Sequence, residues 1–415
     1  MSFTSFNLNP LLLQSLADKG YQQATPVQLQ AIPLVMQQQD VIARAQTGTG
    51  KTAAFALPML DSLLNQPIQP PVLRALVLTP TRELAQQVQQ SFVAYAKHTT
   101  LVSTIAYGGV SLNPQITALK AGADILVATP GRLLDLMEKG VVVLDKLAFL
   151  VLDEADRMLD MGFINDIKRI IRKVPVQRQT LLFSATFDNN LLDLSKMLLN
   201  DPKSVEIDAQ NTAASQVEQI IYNVDADRKR ELISYLIGSK NWQQVLIFTR
   251  TKIAADALAK EMCKDGVKTQ SIHGDKSQGA REKALADFKS GQVRALVATD
   301  VAARGLDISD LKYVINYELP YIAEDYIHRI GRTGRAGSSG TAISLLSVGE
   351  EWLLEEIETL LNERLPQQWL AGYEPDLTKA VKGKKIDSKS ALKSKMKKQL
   401  GLKSTSSKSK QRKRR

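Results

Sequence analysis

Two series of short apolar runs, each alternating with helical patterns, constrain the fold of this chain more than any other feature. The runs cover residues 41–43, 75–78, 125–128, 149–152 and 180–184, then 220–224, 245–248, 295–298, 313–317 and 341–346. Runs that are apolar on both faces are typical of parallel strands covered by helices. The sequence therefore predicts an α/β fold with two doubly wound parallel sheets, in domains spanning residues 1–207 and 217–365. The small, polar residues 208–216 predict a linker between them.

Carboxylates follow directly after one of these apolar runs. Asp153, Glu154 and Asp156 come after residues 149–152. A charge left unpaired beside a core is costly, so such groups usually hold a metal, pair with cations or face a site. The end of this strand is therefore a candidate functional position.

A glycine-rich loop follows the first run, at residues 45–52, with the sequence AQTGTGKT. It matches the phosphate-binding pattern G-x-x-x-x-G-K-[ST] except that Ala45 replaces the first glycine. Gly48 and Gly50 let backbone N–H groups turn toward phosphate oxygens. Lys51 can neutralise the phosphates, and Thr52 can bind Mg²⁺. A loop that merely turns a corner is the alternative, but the order strand, loop, Lys-Thr and helix favours a phosphate site.

These two features have a common chemistry. In a parallel sheet, ligands gather outside the carboxyl ends of the strands, where Lys51 and Asp153 would both lie. Asp153 can hold Mg²⁺ through its water shell, and Glu154 can orient or deprotonate the water that attacks the γ-phosphate. The sequence therefore predicts a nucleoside triphosphatase that uses Mg²⁺.

Charge is distributed very unevenly along the chain. Residues 379–415 carry 16 Lys or Arg and a single acid, Asp387, which gives +15, whereas the whole chain carries +11. Residues 1–378 therefore carry a net charge of −4. A segment so rich in Lys and Ser cannot bury a core, which predicts a disordered basic tail. Its function is either to tether a polyanion, which the charge density favours, or only to increase solubility.

Several features predict a cytoplasmic protein. Cys263 is the single cysteine, which excludes an internal disulfide and fits a reducing compartment. The first residues lack the basic and apolar segments of a secretory signal, and no apolar stretch is long enough to span a bilayer.

The motifs together resemble those of DEAD-box RNA helicases, and a bacterial RhlE-type member in particular. The family's motifs occur in the family's order over about residues 1–365, as AQTGTGKT, PTREL (80–84), TPGR (129–132), DEAD (153–156), SAT (184–186) and HRIGRTGR (328–335). The resemblance implies two tandem RecA-like domains and an ATP-dependent enzyme that remodels RNA, in processes such as ribosome biogenesis and RNA degradation.

The resemblance also implies roles for individual residues around the nucleotide. Gln28, in GYQQATPVQ (20–28), would bind adenine, and Phe3 would stack on the base, although by itself Phe3 would rather be a helix staple. Arg332 and Arg335 would stabilise the transferred phosphoryl group. The remaining nucleotide-binding positions would be Thr47, Gly48, Thr49, Gly50, Lys51, Thr52, Gly305 and Asp307.

Further positions are implied in coupling and in RNA binding. Ser184 and Thr186 would couple the ATP state to RNA by bonding Asp156 and His328, although by themselves they could simply cap a turn. The RNA-binding positions would be Arg82, Gly109, Thr129, Arg132, Thr251, Arg281 and Thr299. Such groups contact sugar and phosphate without reading sequence. A passive RNA clamp and a DNA translocase are the alternatives to an RNA helicase.

Overall fold

The structure is a computed structural model that describes residues 2–45, 48–187, 189–207, 217–303, 308, 311–334 and 340–376. The predicted linker and the predicted basic tail lie outside the described residues. The chain divides into two compact units, and each unit is built on its own β-sheet.

The described strands of the first unit form one parallel sheet. They are β1 (Val41–Arg44), β2 (Ala75–Leu78), β3 (Ser103–Ala106), β4 (Ile125–Ala128), β5 (Phe149–Leu152), β6 (Gln179–Ser184) and β7 (Lys203–Glu206). Their order across the sheet is β3-β4-β2-β5-β6-β1-β7, and every neighbouring pair is parallel.

Helices cover both faces of this sheet. After a 3₁₀ turn at Phe3–Phe6 come α1 (Pro10–Asp18), α2 (Pro26–Met36), α3 (Lys51–Asn65), α4 (Arg82–Tyr95), α5 (Asn113–Lys120), α6 (Pro130–Glu138), α7 (Ala155–Asp160), α8 (Ile164–Ile171) and α9 (Asn189–Leu198). Helices α1 to α4 pack in one hydrophobic cluster, and α5 to α9 pack in another. Strand β2 contributes Ala75 and Val77 to the first cluster and Leu76 and Leu78 to the second. Successive side chains of a strand point to opposite faces, so a strand between two helical layers must be apolar throughout.

The second unit repeats this architecture. Its described strands are β8 (Val217–Asn223), β9 (Val245–Thr249), β10 (Thr269–Ile272), β11 (Ala295–Thr299), β12 (Tyr313–Asn316), β13 (Gly340–Leu346) and β14 (Gln367–Gln368). Their order is β10-β11-β9-β12-β13-β8-β14, again entirely parallel. The helices that accompany these strands along the chain are α10 (Lys229–Ser239), α11 (Lys252–Lys264), α12 (Gln278–Lys289), α13 (Asp300–Ala303), α14 (Ala323–Ile330) and α15 (Glu351–Leu361). Within this part of the chain, residues 273–285 and 301–303 group with the first unit.

The predicted fold class is confirmed, with one systematic difference. Every apolar run of the sequence overlaps a strand of a sheet. The strands that the sequence did not predict are β3, β7, β10 and β14, and all of them are edge strands. An edge strand has a neighbour on one side only and tolerates polar side chains, so its sequence lacks the continuous apolar run of an interior strand. No described helix is long and apolar enough to cross a bilayer.

Candidate active site

Three of the predicted motifs follow adjacent strands of the first sheet. Strand β6 pairs with β1 on one side and with β5 on the other. The glycine loop follows β1, the carboxylates follow β5, and Ala185 and Thr186 follow β6. Because the strands are parallel, these segments meet at one edge of the sheet, which is where α/β proteins bind their ligands.

The backbone conformation of the glycine loop would allow a phosphate group to approach it closely. Gly48 and Gly50 have φ angles of 89° and 95°, in the left-handed region. A Cβ atom on Gly50 would lie 2.4 Å from Nε2 of Gln28, so a larger residue would have to displace that side chain as well as adopt a strained φ angle. Gly50 also caps the N-terminus of α3. The first turn of a helix has N–H groups without intrahelical partners, and these groups bind phosphate well.

Lys51 is the cation of this loop, and its side chain is buried at 6% exposure. Its Nζ atom lies 4.0 Å from Oδ1 of Asp153. No acceptor among the described residues forms a hydrogen bond with Nζ. An ammonium group has three N–H donors, and burying them without acceptors is costly. The oxygens of a phosphate would supply those acceptors, so this lysine fits a phosphate group.

Asp153 is buried as deeply as the core around it. Desolvation raises the pKa of Asp153 to about 6, and the nearby Glu154 and Asp156 contribute in the same direction, against the charge of Lys51. Its Oδ1 atom accepts a hydrogen bond from the backbone N–H of Glu154 at 3.0 Å. A divalent cation beside this carboxylate would stabilise its ionised form. The hydroxyl of Thr52, in the first turn of α3, is a second oxygen donor of the kind that Mg²⁺ accepts.

Glu154 has an unusual backbone for a residue with a side chain. Its φ and ψ angles are both 53°, and it caps the N-terminus of α7. A non-glycine residue in the left-handed region costs about 1–3 kcal/mol and occurs preferentially at functional sites. The carboxylate is buried, and its Oε2 atom lies 3.2 Å from Nε of the buried Arg157. Arg157 directly follows the DEAD motif, but the sequence motifs assign no role to it.

Asp156 connects the end of β5 to the end of β6. Its Oδ2 atom accepts hydrogen bonds from the backbone N–H groups of Ala185 and Thr186 and from the hydroxyl of Thr186, at 3.0–3.1 Å. Ser184 is arranged differently, because its hydroxyl donates to the carbonyl of Thr186 at 2.7 Å. The structure therefore brings Thr186 to Asp156, whereas the hydroxyl of Ser184 closes the turn.

Of the predicted adenine-binding residues, Gln28 contacts the glycine loop, whereas Phe3 is buried in the core. Nε2 of Gln28 donates to the carbonyl of Gly50 at 3.1 Å, and Oε1 accepts from the backbone N–H of Thr25 at 2.9 Å. The amide retains one N–H and one lone pair for a base. Phe3 is 3% exposed and stacks on Tyr21, which is 39% exposed. Of these two rings, Tyr21 is the accessible one, and the role of Phe3 stays a prediction.

The predicted RNA-binding residues of the first unit lie at the carboxyl ends of β2, β3 and β4, which are adjacent strands. Gly109 has a φ angle of 79°, and a Cβ atom there would lie 1.9 Å from Nη1 of Arg82. Nη2 of Arg132 donates to the carbonyl of Val110 at 3.0 Å. Both guanidinium groups therefore lie against the same short segment. Thr129 is at the N-cap of α6, at the same edge of the sheet.

The remaining predicted residues follow residue 217 in the chain, and two of them, Thr251 and Thr299, lie at strand ends. Thr251 follows β9, and its hydroxyl caps α11 by accepting from the N–H of Ala254 at 3.1 Å. Thr299 ends the adjacent β11, and Arg281 lies on α12. His328 lies on α14 with its Nδ1 atom 3.8 Å from Oδ1 of Asp325. Arg332 follows the same helix and is buried. Thr47, Gly305, Asp307 and Arg335 lie outside the described residues.

Arg329, a residue of the HRIGRTGR motif that the sequence analysis did not select, organises this part of the second unit. Its guanidinium group is fully buried and forms two parallel bonds to Asp300, at 2.6 and 2.7 Å. Nη1 donates to Oδ1 of Asn316 at 3.1 Å and to the carbonyl of Glu318 at 2.6 Å. Paired, planar hydrogen bonding of this kind is specific to arginine.

Family models match most of the described chain. Residues 25–194 match the DEAD/DEAH box helicase model, and residues 227–337 match the helicase conserved C-terminal domain. The chain belongs to the DEAD/DEAH box helicase family. The ATP-dependent RNA helicase RhlB of Pseudomonas aeruginosa is 44% identical over 372 residues, which cover 88% of this chain and 93% of that protein. The DEAD-box ATP-dependent RNA helicase CshA of Bacillus subtilis is 39% identical over 383 residues, which cover 92% and 76%.

Solved helicase structures have the same fold. Dbp5 of S. cerevisiae bound to RNA and ADP BeF3 is 31% identical, with a TM-score of 0.79, over 97% of this chain and 100% of that chain. A truncated Mss116p bound to ssRNA and AMP-PNP gives a TM-score of 0.80 at 28% identity, over 92% and 82%. Family membership confirms the tandem RecA-like fold, and it confirms the predicted class of enzyme, an ATP-dependent RNA helicase that binds nucleotide. The RhlE subtype stays a prediction.

Proposed function

We propose that this helicase hydrolyses ATP at the carboxyl edge of the first sheet and uses the hydrolysis to separate short RNA duplexes locally. One observation carries this proposal: the buried Nζ atom of Lys51 lies 4.0 Å from Asp153 and has no hydrogen-bond acceptor among the described residues. Lys51 and the N–H groups of the glycine loop hold the phosphates. Gln28 contacts the base through its remaining N–H and lone pair. The carboxylate of Glu154 orients the attacking water and accepts its proton.

We propose that Mg²⁺ assists this reaction. Asp153 and Thr52 would hold the ion, in part through its water shell, because both offer oxygen donors. The bound ion would neutralise charge on the phosphates during hydrolysis. The protein itself keeps the site dry, since Lys51, Asp153 and Glu154 are all buried.

RNA would be bound through its backbone. Arg82, Gly109, Thr129 and Arg132 present guanidinium groups, a hydroxyl and exposed backbone at one sheet edge. These groups contact sugar and phosphate in any sequence. Support also comes from the relatives, since Dbp5 and Mss116p are described as bound to RNA or ssRNA. We place the domain boundaries at residues 207 and 217 and the protein in the cytoplasm, in keeping with its single cysteine.

Matched duplexes distinguish the helicase from its alternatives. Unwinding of RNA and DNA duplexes of the same sequence is measured with ATP and with a non-hydrolysable analogue. We expect the RNA duplex to be separated with ATP. Equal activity with the analogue alone would instead indicate a passive clamp, and a preference for the DNA duplex would indicate a DNA translocase.

The substitution Asp153→Asn is expected to have opposite effects on activity and on stability. Hydrolysis should be lost because the variant holds Mg²⁺ poorly. Stability of the ligand-free protein at pH 8 should increase, because the pKa of Asp153 is raised from 3.8 to about 6 and the ionised carboxyl destabilises the folded state. That penalty is absent below about pH 4 and complete above about pH 6, where it amounts to roughly 3 kcal/mol.

Urea unfolding of both proteins between pH 4 and pH 8 measures this effect. The exposed Asp201→Asn is the control, since its carboxylate is on the surface beside Lys203. A stability difference between Asp153→Asn and the unsubstituted protein that is the same at pH 4 and at pH 8 would contradict the prediction.

Deletion of residues 379–415 is expected to weaken RNA binding and to make it less dependent on salt. For each phosphate of a single strand that the protein no longer neutralises, the slope of log affinity against log salt becomes shallower by about 0.7. Turnover at saturating RNA should survive, because the predicted catalytic residues all precede residue 336. The control replaces the 16 Lys and Arg residues of the tail with Gln and Ser at the same length. An unchanged salt slope would leave the tail as a solubility segment.

A further inference from the structure

The motif carboxylates after β5 have separate arrangements in the structure. Asp156 accepts hydrogen bonds from the residues that follow β6. Asp153 faces the ammonium group of Lys51 at 4.0 Å. Glu154 pairs with the guanidinium group of Arg157 at 3.2 Å. Each of these carboxylates therefore lies against a different group, and the guanidinium group that pairs with Glu154 belongs to a residue outside the DEAD motif.

Both side chains of the Glu154–Arg157 pair are buried. The side chains of Glu154 and Arg157 are 3% and 2% exposed. Arg157 is one of the largest fully buried side chains among the described residues. Burial of an arginine at this depth is rare unless the arginine is paired. A surface ion pair would orient Glu154 weakly, whereas a buried pair restricts the carboxylate strongly.

The backbone links the same two residues. Arg157 lies three positions after Glu154 on α7, and its N–H donates to the carbonyl of Glu154 at 3.1 Å. The same N–H lies 2.9 Å from Oδ1 of Asp156. Glu154 is in the left-handed conformation, which projects its side chain differently from that of a helical residue. Arg157 contacts this carboxylate and so restricts its direction.

From this geometry we propose that Arg157 is the positioning residue for Glu154. It holds the carboxylate in one orientation, so that Glu154 accepts a hydrogen bond from the attacking water at the correct place. Arg157 does not itself contact ATP. The inference rests on the proposed role of Glu154 as the residue that orients the water.

A double-mutant cycle tests this role. The proteins are the unsubstituted chain, Arg157→Met, Glu154→Gln and the double variant, and each is assayed for kcat and for the KM of ATP at saturating RNA. We expect Arg157→Met to lower kcat by about 10- to 100-fold with little change in KM, because a positioned acid or base contributes roughly 10²–10⁴-fold. In the Glu154→Gln background, Arg157→Met should change kcat by less than about twofold, since residues that act as a unit are not additive.

Stability measurements separate positioning from a general effect on folding. Arg157→Met leaves a buried carboxylate without its cation, whereas the double variant leaves neither charge, so the double variant should unfold at a higher temperature. Arg157→Lys keeps the charge and should recover part of kcat, and it replaces Arg157→Met in the cycle if that variant does not fold. Arg169→Met is the matched control, because Arg169 pairs with Glu138 on the surface of the same unit.

The outcomes are distinguishable. An equal loss of kcat from Arg157→Met in both backgrounds, or no loss in either, overturns the role of Arg157 and leaves the role of Glu154 intact. Normal turnover by Glu154→Gln overturns the proposed function itself, and the inference with it.

Discussion

Lys51→Ala is expected to lower ATP hydrolysis by roughly 10²–10³-fold or more, the loss that follows removal of one preorganised donor from a charged transition state. Lys51 is the buried cation of the glycine loop, and its Nζ atom has no hydrogen-bond partner among the described residues. The substitution removes the group that would neutralise the phosphates. It also removes the positive charge that faces Asp153, so the pKa of that carboxyl should rise further above its ordinary value.

The fold should tolerate this change. The Nζ atom of Lys51 makes no hydrogen bond to the described residues, so the substitution removes none. The backbone of the glycine loop is unchanged. Steady-state ATPase assays, nucleotide binding and thermal unfolding should be measured together. Lys97→Ala is the control, because Lys97 is an exposed lysine of the same unit that pairs with Asp18 at 2.6 Å. Retention of most of the ATPase activity by Lys51→Ala would exclude this loop as the phosphate site.

Glu154→Gln is expected to slow turnover by roughly 10²–10⁴-fold, the contribution of a positioned general base. The substitution keeps the size of the side chain and removes its charge. Because Lys51, Gln28 and the glycine loop are unchanged, ATP should still bind, and RNA binding that depends on ATP should persist or become tighter. This separation of binding from turnover is the property that distinguishes a catalytic carboxylate from a structural one.

Single-turnover hydrolysis and equilibrium binding of ATP and RNA measure the two quantities independently. Glu138→Gln serves as the control, since Glu138 is an exposed carboxylate on α6 of the same unit. If Glu154→Gln hydrolysed ATP at the normal rate, the buried carboxylate would have a structural role, despite its left-handed backbone.

The sequence by itself determined the interior of both sheets. Strands such as β2 and β9 lie between two helical layers, and that position requires an unbroken apolar run that can be recognised without a structure. The sequence also determined the site motifs after β1 and β5, because a phosphate loop requires glycine, lysine and threonine at fixed spacing. These features depend on neighbours that are close in the chain.

Only the tertiary structure decided the rest. The edge strands β3, β7, β10 and β14 are defined by the strand they pair with and have no apolar run of their own. Placement of β6 between β1 and β5 brings Thr186 to Asp156, and the packing of α2 on α3 brings Gln28 to Gly50. The buried pair of Arg157 with Glu154 depends on the left-handed turn at Glu154 and on the burial of α7. A sequence pattern shows which side chains are present. Burial and contacts between distant segments decide which charges need a partner, and both arise only when the chain has folded.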